Sequence, residues 1–456
     1  MNSANPRRIL RPVLFGAFFL LAGAAQPALA ATYYVGTAGN DANPGSSASP
    51  WRTIAKAANT MVAGDTVLVA SGNYGESVTT VRSGTASTRI TFKCIGTCIT
   101  KTFNSDHSYI TIDGFEMTAA NDGFMMTLRG NYGELKNNTI HDTGASWGVV
   151  RMDNDLMTGW VISNNRYYSS TGPGDDLTVF SVGGVNNIVE KNDIGPAKDI
   201  DAFRVWGVGN IIRGNYIHDA STSSGSVAHL DVIQVFGGWT GAESRNVVFE
   251  KNLIVNFDGQ ICMTENNNSS GIHDWDLRNN VYVNVGLQAN VGIPNFRFYN
   301  NTLYNVGAVN NLVMYLYDGA GKSNYSGAQI KNNMFVTAST IGSYGNVMAI
   351  GSTGTNVVAA NNYFAKIGTY AALSNVPTNA GNANGGDPKF VNAAAKDFHL
   401  QAGSPAIDKG ATLAGFNYDY DTVARPQGAA WDIGALEYKS GATTQLPAPT
   451  KLTVLP

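Results

Sequence analysis

Polar residues of types that could perform acid–base chemistry recur in three successive segments between about residues 199 and 265. Asp201 and Asp231 each precede a short apolar run, and Arg204 and Gln234 follow them by three residues. His229 lies two residues before Asp231. A histidine can transfer a proton near neutral pH, and an arginine can neutralise a substrate carboxylate. We therefore interpret Arg204, His229, Asp231 and Gln234 as candidate catalytic residues; the alternative for His229 is a turn histidine bonded to the backbone.

Further acidic and aromatic residues lie close to this cluster. Asp176, Asp199 and Asp201 are candidate calcium ligands, because carboxylates stacked about 5 Å apart in neighbouring strands need a cation, a proton or solvent. An alternative is that these aspartates are turn residues that mark the start of each strand. The candidate substrate-binding residues are Trp206, Phe236, Glu265 and Arg151.

An internal repeat across roughly residues 81–366 must position these side chains. Its marker is an asparagine bend followed by an apolar pair, as in KNNTI at 136–140 and EKNDI at 190–194. The spacing between markers varies from the low twenties to the high thirties, which a solenoid of short strands tolerates because its loops vary in length. Asparagine adopts left-handed backbone and forms amide ladders, so we interpret the repeated asparagines as structural. They are Asn138, Asn165, Asn192, Asn215, Asn252, Asn280, Asn301, Asn333 and Asn362.

The first 80 residues carry a resemblance to a known class of proteins. The motifs YYVGTAGND, NPGSSASPWRTIAKAAN and AGDTVLVASGNY resemble the N-terminal cap and first coil of secreted right-handed parallel β-helix proteins, including family nine pectate lyases. The resemblance implies an all-β, right-handed parallel β-helix with an N-terminal helical cap. Family nine pectate lyases combine an aspartate-rich calcium site with a lysine base, which implies Ca²⁺ as a cofactor here. No motif places the lysine.

The chain divides into four parts. Residues 1–30 have a basic start, a short apolar stretch and an A-x-A site, which predict a signal peptide cleaved after Ala30 and a secreted or periplasmic protein. Residues 31–382 are the predicted β-helix, with the cap and first coil at 31–80. Residues 383–438 resemble the C-terminal segment of secreted bacterial β-helix proteins through SPAIDKG, ARP and DIGALEY, and we expect a turn-rich cap over the last coil. Residues 439–456 are a predicted disordered tail.

Charge and cysteine content restrict the possible partners. Removal of the three arginines of the signal peptide changes the formal net charge from −3 to −6, which argues against nucleic acid or an anionic membrane as partner. No later apolar run is long enough to span a membrane, and we expect a monomer. Cys94 and Cys98 fit a small disulfide loop, or less well a zinc site, and Cys262 is expected to be buried.

Three classes of function fit these features. The preferred hypothesis is a lyase that cleaves an acidic, uronate-containing extracellular polysaccharide by metal-assisted β-elimination, with Arg204 and calcium neutralising the uronate and His229 or a lysine as base. A glycoside hydrolase is the alternative; Asp175-Asp176 resembles the double aspartate of polygalacturonases, but their companion motifs are missing. The third class is a non-catalytic glycan-binding protein, with Trp147, Trp206, Phe236 and Trp239 as stacking platforms.

Overall fold

The structure is a computed structural model that describes residues 30–118, 124–142, 147–153, 155–172, 177–237, 243–264, 271–286, 289–307, 313–316, 325–337, 348–350, 354–373 and 381–440. The predicted signal peptide up to residue 29 and the predicted tail from residue 441 lie outside these residues. So do the candidate site residues Asp176 and Glu265.

Each complete coil contains three short strands in a fixed order along the chain. One coil runs from Leu177–Val182 through Ile188–Glu190 to Asp193–Ile194, and the next begins at Ile200–Val205. Equivalent strands of successive coils pair in parallel and form three stacks, which we call sheets 1, 2 and 3 in chain order. Crossover connections between parallel strands of one sheet are right-handed. The predicted all-β, right-handed parallel β-helix is confirmed.

The strands of each sheet follow one another along the solenoid. In the described residues, sheet 1 comprises Phe124–Leu128, Gly148–Met152, Leu177–Val182, Ile200–Val205, Ile233–Val235, Cys262–Thr264, Ala289–Val291, Met314–Leu316 and Met348–Ile350. Sheet 2 comprises Glu134–Lys136, Val161–Ser163, Ile188–Glu190, Ile211–Arg213, Val248–Glu250, Asp276–Arg278, Arg297–Tyr299, Gln329–Lys331 and Val358–Ala360. Sheet 3 comprises Thr139–His141, Arg166–Tyr168, Asp193–Ile194, Ala197–Lys198, Tyr216–Ser221, Leu253–Phe257, Val281–Val285, Thr302–Val306, Met334–Thr337, Tyr363–Lys366 and Ala383–Asn384.

Shorter elements complete the described structure. Four N-terminal strands precede sheets 2 and 3 and merge into both, at Thr32–Val35, Thr66–Asn73, Ile90–Thr100 and Ile110–Met117. The remaining strands are Ser77–Thr79, Thr102–Asn104, Gly207–Val208, Ser244–Arg245, Ile272–His273, Phe390–Asn392 and Asp397–Leu400. The helices are the α-helix Ile54–Thr60 and the 3₁₀ turn Ala393–Ala395.

The repeated asparagines form a buried ladder at the bend between sheets 2 and 3. In each coil, the side-chain amide and the backbone N–H of the asparagine both donate to the side-chain oxygen of the asparagine in the next coil. From Asn165 to Asn192 the side-chain bond is 3.0 Å long and the backbone bond 2.9 Å. The same pair of bonds recurs from Asn138 through to Asn382. Buried amides are stable only when they are hydrogen-bonded, and here each satisfies the next. The interpretation of these asparagines as structural is confirmed.

The α-helix near the beginning of the described residues packs on the buried core. The helix Ile54–Thr60 buries Ile54 and Ala57, and the Glu76 carboxylate accepts hydrogen bonds from the backbone N–H groups of Ile54 and Ala55. A carboxylate at this position satisfies N–H groups that the helix itself leaves without acceptors. Cys94 and Cys98 form a disulfide, with their Cα atoms 5.9 Å apart, and Cys262 is buried as expected.

The C-terminal segment lies along the side of the solenoid. Asparagine side chains from three successive coils donate hydrogen bonds to backbone carbonyl oxygens of this segment. Asn279 donates to Tyr418, Asn300 donates to Asp432 and Gly434, and Asn332 donates to Ala411. Apolar side chains of the segment pack on outward-facing side chains of sheet 3. The observed contacts therefore run along several coils, and the expected cap over the last coil stays a prediction.

Candidate active site

The candidate residues lie on sheet 1, where parallel pairing fixes which side chains are neighbours. Inward positions carry buried Phe180, Phe203 and Ile233. The positions that follow them form one outward stripe, which runs through Thr127, Arg151, Ser181, Arg204, Gln234, Met263, Asn290, Tyr315 and Ala349. Neighbours in this stripe are about 4.8 Å apart along the solenoid axis. The predicted alignment of Arg204 with Gln234 agrees with this register.

Asp201 holds the Arg204 guanidinium in place. The Oδ2 atom of Asp201 accepts from Arg204 Nε at 2.9 Å and lies 2.8 Å from Nη2. The Asp201 side chain is fully buried, whereas that of Arg204 remains partly exposed. The guanidinium also lies over the Phe236 ring, 5.9 Å from its centroid. A buried carboxylate requires a cation, and one that anchors an arginine in this way fixes the direction in which the guanidinium meets solvent.

Asp231 links this ion pair to His229. The backbone N–H of Asp231 donates to Asp201 Oδ1 at 3.0 Å, and Asp231 Oδ2 lies 3.0 Å from His229 Nδ1. The Asp231 side chain is fully buried, while 46% of the His229 side chain is exposed. A carboxylate at Nδ1 fixes the orientation of the ring and favours protonation of that nitrogen, so Nε2 is the atom that can take a proton from a substrate. We call Arg204, Asp201, Asp231 and His229 the site network.

A second arginine unit lies two coils earlier in the stripe. Arg151 Nε is 2.8 Å from Asp153 Oδ1, and its guanidinium lies over the Phe124 ring, 4.7 Å from the centroid. Each of the two arginines thus has an aspartate on one side and an aromatic ring on the other. They are two coils apart, about 10 Å along the axis. Two guanidinium groups in one stripe can bind two anionic groups of an extended ligand.

Two predicted residues take other places. Asp199 is fully buried with left-handed backbone, and its carboxylate accepts from the backbone N–H of Ser223 at 2.7 Å. Trp206 is only 4% exposed and donates from its ring nitrogen to Asp155 at 2.7 Å, so it cannot form the exposed stacking platform that the sequence predicted. The residue paired with Asp201 in the preceding coil is Thr178 rather than Asp176.

The structure also brings residues to the stripe that the sequence analysis did not single out. Ser181 lies between Arg151 and Arg204, and Asn290 and Tyr315 continue the stripe beyond Gln234. The side chain of Asn290 donates to Gln260 Oε1 at 2.6 Å. Each of these residues directly follows a buried residue of its strand, so the alternation of inward and outward side chains would have identified these positions.

Three residues of the site network could contribute ligands to a cation. Asp201, His229 and Asp231 each offer a ligand atom, and these atoms lie within 4.8 Å of one another. Calcium prefers about six to eight oxygen ligands. This group supplies only two carboxylates and one nitrogen, and Asp201 Oδ2 is engaged by Arg204. Among the residues that the structure describes, this donor set therefore does not fit the predicted calcium ion, and Asp199 does not add to it.

Comparison with known proteins supports the fold. A family model described as "Protein of unknown function (DUF1565)" matches residues 37–81. No curated protein matches the chain. Among solved structures, the chain is similar to XylC in complex with xylose, with 13% identity, a TM-score of 0.60, and coverage of 90% of this chain and 99% of that one.

Two lyases are also among the similar structures. The alginate lyase AlyGC of polysaccharide lyase family 6 is 13% identical with a TM-score of 0.51, and the match covers 86% of this chain but 58% of that chain. The pectate lyase Pel9A is 16% identical with a TM-score of 0.49, over 90% of this chain and 96% of that one. At these identities the likeness to XylC and AlyGC shows the fold alone. In the described part of the chain, no helix has the length and apolarity needed to cross a membrane.

Proposed function

We propose that this protein is an exported polysaccharide lyase that cleaves a uronate-containing polysaccharide by β-elimination on the outward stripe of sheet 1. The observation that carries the proposal is the site network, in which one chain of contacts orients both a cation and a proton acceptor. The second arginine unit at Arg151 supports an acidic substrate, because it adds another cation to the same stripe.

Arg204 has the role of neutralising the uronate carboxylate. The C5 proton of a uronate becomes acidic when the charge that develops on its carboxylate is stabilised by a fixed cation. The guanidinium supplies that cation without a metal ion, since Asp201 holds it and part of it faces solvent. Gln234, its neighbour in the next coil, is only 2% exposed, so it supports the site from within the sheet.

His229 has the role of the base. Its Nε2 atom takes the C5 proton, the electron pair of the broken C–H bond forms the C4–C5 double bond, and the C4–O bond breaks. The oxygen that leaves C4 then takes a proton from the His229 imidazolium, which returns the enzyme to its starting state. Asp231 does not meet the substrate; it orients the ring from beneath.

The hydrolase alternative is less well supported by the same geometry. Glycoside hydrolysis needs two carboxyl groups that reach opposite sides of the bond that is cleaved. The side chains of Asp201 and Asp231 are fully buried and bound to Arg204 and His229. XylC was solved with a neutral sugar, and for that reason neutral glycans belong in the substrate panel.

The experiment is to follow the ultraviolet absorbance of unsaturated uronide product while the purified protein is incubated with polygalacturonate, alginate and xylan, with and without chelator. We expect a signal on a uronate that chelator does not change and that Arg204→Ala removes. Arg166→Ala is the matched control, because Arg166 also lies over an aromatic ring beside an aspartate but belongs to sheet 3. No signal on any uronate, or a signal that chelator abolishes, would contradict this proposal.

A further inference from the structure

The bend between sheets 2 and 3 contains two lysines in an unusual conformation. Nine successive coils place one residue each at the left-handed position of this bend, with φ between 51° and 62°. Six of these residues are asparagine and one is Gly214, the types that adopt this conformation most easily. The other two are Lys191 and Lys251, both at φ 56°. A residue held in a less favoured conformation is a reason to look for a function.

The two lysines border one pocket. Gly214 lies between them in the stack, because Lys191 N donates to Arg213 O and Gly214 N donates to Glu250 O. Without a side chain at Gly214, a pocket of about 390 Å³ opens, and Tyr418 and Thr422 of the C-terminal segment close one side of it. We call this pocket the corner pocket. It lies at the bend between sheets 2 and 3, away from the outward stripe of sheet 1.

The lining of the corner pocket carries three cationic and two acidic residues. Its acidic residues are already paired: Glu190 binds Arg213 at 2.7 Å, and Glu250 binds Arg278 at 2.8 Å and the Tyr418 hydroxyl at 2.7 Å. Within the described part of the chain, neither Lys191 nor Lys251 makes an ion pair. An anion that enters the pocket therefore meets two lysines that have no carboxylate partner among the described residues.

Lys251 is also partly removed from water. Its ammonium lies over the Tyr418 ring, 4.5 Å from the centroid. Burial lowers the pKa of Lys251 below its ordinary value, even though Glu250, Asp419 and Asp421 act in the opposite direction. Asp421 itself is bound to His399 at 2.8 Å. A desolvated ammonium gains more from a bound carboxylate than a fully hydrated one does.

We infer that the corner pocket is a second binding site for the carboxylate groups of an acidic polysaccharide, and that it holds the polymer while the stripe of sheet 1 acts on it. This inference rests on the proposed function for the identity of the polymer. The pocket itself rests on separate residues, so the two can fail separately.

The test is affinity electrophoresis of the full chain through gels that contain polygalacturonate, alginate or neutral xylan. The double variant Lys191→Asn, Lys251→Asn is suited to it, because asparagine occupies the same position in six other coils and the fold should be retained. We expect it to bind the uronate polymers about tenfold more weakly, the effect of losing one or two charge-assisted contacts. The matched control is Lys93→Asn, Lys331→Asn, which makes the same charge change elsewhere.

The outcomes separate the possible explanations. An equal loss of retention in both double variants would mean a general charge effect and would overturn the site. Retention by xylan that persists in the lysine variant would overturn the carboxylate specificity. If Arg204→Ala retains polymer binding while the Lys191 and Lys251 variant loses it, the corner pocket is a separate site. Absence of turnover in the unmodified protein, with retention that depends on the two lysines, would contradict the proposed lyase and leave the pocket intact.

Discussion

Two kinds of histidine site can be distinguished among the described residues, and they differ in how far the ring is exposed to solvent. His218 of sheet 3 and His399 of the C-terminal segment each lie between two aspartates, with both ring nitrogens within 2.9 Å of a carboxylate oxygen. His229 has an aspartate at Nδ1 and is 46% exposed, compared with 13% and 16% for the other two side chains. A largely buried ring held between two carboxylates has a structural role, whereas a half-exposed ring oriented by a buried carboxylate can transfer protons.

Electrostatics agree with this division. Burial lowers the pKa of His218 and of His399, but hydrogen bonds to their paired aspartates outweigh it and raise both pKa values above the ordinary one. The raised pKa favours the charged form of each ring between its two acids. A base must be able to exist in the neutral form at the working pH, so these two sites are poorly suited to proton abstraction.

The largest expected effect is on the turnover number, which should depend on His229 and not on His218. His229→Gln removes the base and is expected to lower the turnover number on the preferred uronate by about 10²- to 10⁴-fold. His218→Gln is the control, and it should leave turnover unchanged because His218 lies on sheet 3. The initial rate of unsaturated product formation measures both. Equal losses in the two variants would remove the functional distinction.

Asp231 provides the next test, because it acts through His229. Asp231→Asn keeps the shape but no longer holds the protonated Nδ1 with a charged acceptor, and we expect turnover to fall by about 10²-fold with KM little changed. The pH dependence of turnover should also move, which a purely structural effect would not produce. Asp219→Asn, which removes the carboxylate at Nδ1 of His218, is the comparison. A rise in KM at constant turnover would instead assign Asp231 to substrate binding.

The paired histidines are expected to influence stability rather than activity. A folded pKa that is raised above the unfolded value near 6.5 contributes stability below that pH and loses it as the pH rises through the folded pKa. His399→Gln should therefore cost about 1–3 kcal/mol of unfolding free energy at pH 6, from the loss of charged hydrogen bonds, and less at higher pH. Urea denaturation at several pH values measures this. A cost that does not change with pH would contradict the assigned cause.

Much of this arrangement follows from local sequence. The asparagine bends predicted the coils, and the alignment of Arg204 with Gln234 placed both correctly in one stripe. The dipeptides His141-Asp142, His218-Asp219 and His273-Asp274 share a left-handed aspartate beside the histidine. His229 differs because its aspartate comes two residues later, where sheet 1 begins. That difference in spacing is visible in the sequence and separates His229 from these three dipeptides.

Other features depended on contacts between distant segments. Trp206 is buried because Asp155, from an earlier coil, accepts its ring N–H, and no local pattern shows this. The sequence does indicate where the C-terminal segment packs, because the strands Leu253–Phe257 and Val281–Val285 carry apolar residues on both faces. Ile254 faces the solenoid interior, whereas Val255 contacts the C-terminal segment. Strands that are apolar on both faces are covered on both faces.

The smallest expected effect concerns His141, which tests whether two carboxylates are enough to make a histidine structural. His141 also lies between two acids, but its contacts to Glu116 and Asp142 are longer, 3.3 and 3.1 Å. Hydrogen bonds weaken with distance, so we expect His141→Gln to cost about 0.5–1 kcal/mol, less than His399→Gln. The same urea titrations provide the measurement, with turnover as the control. A cost equal to that of His399→Gln would show that the number of acidic partners determines the stabilisation, whereas a smaller cost would show that the closeness of the contacts does.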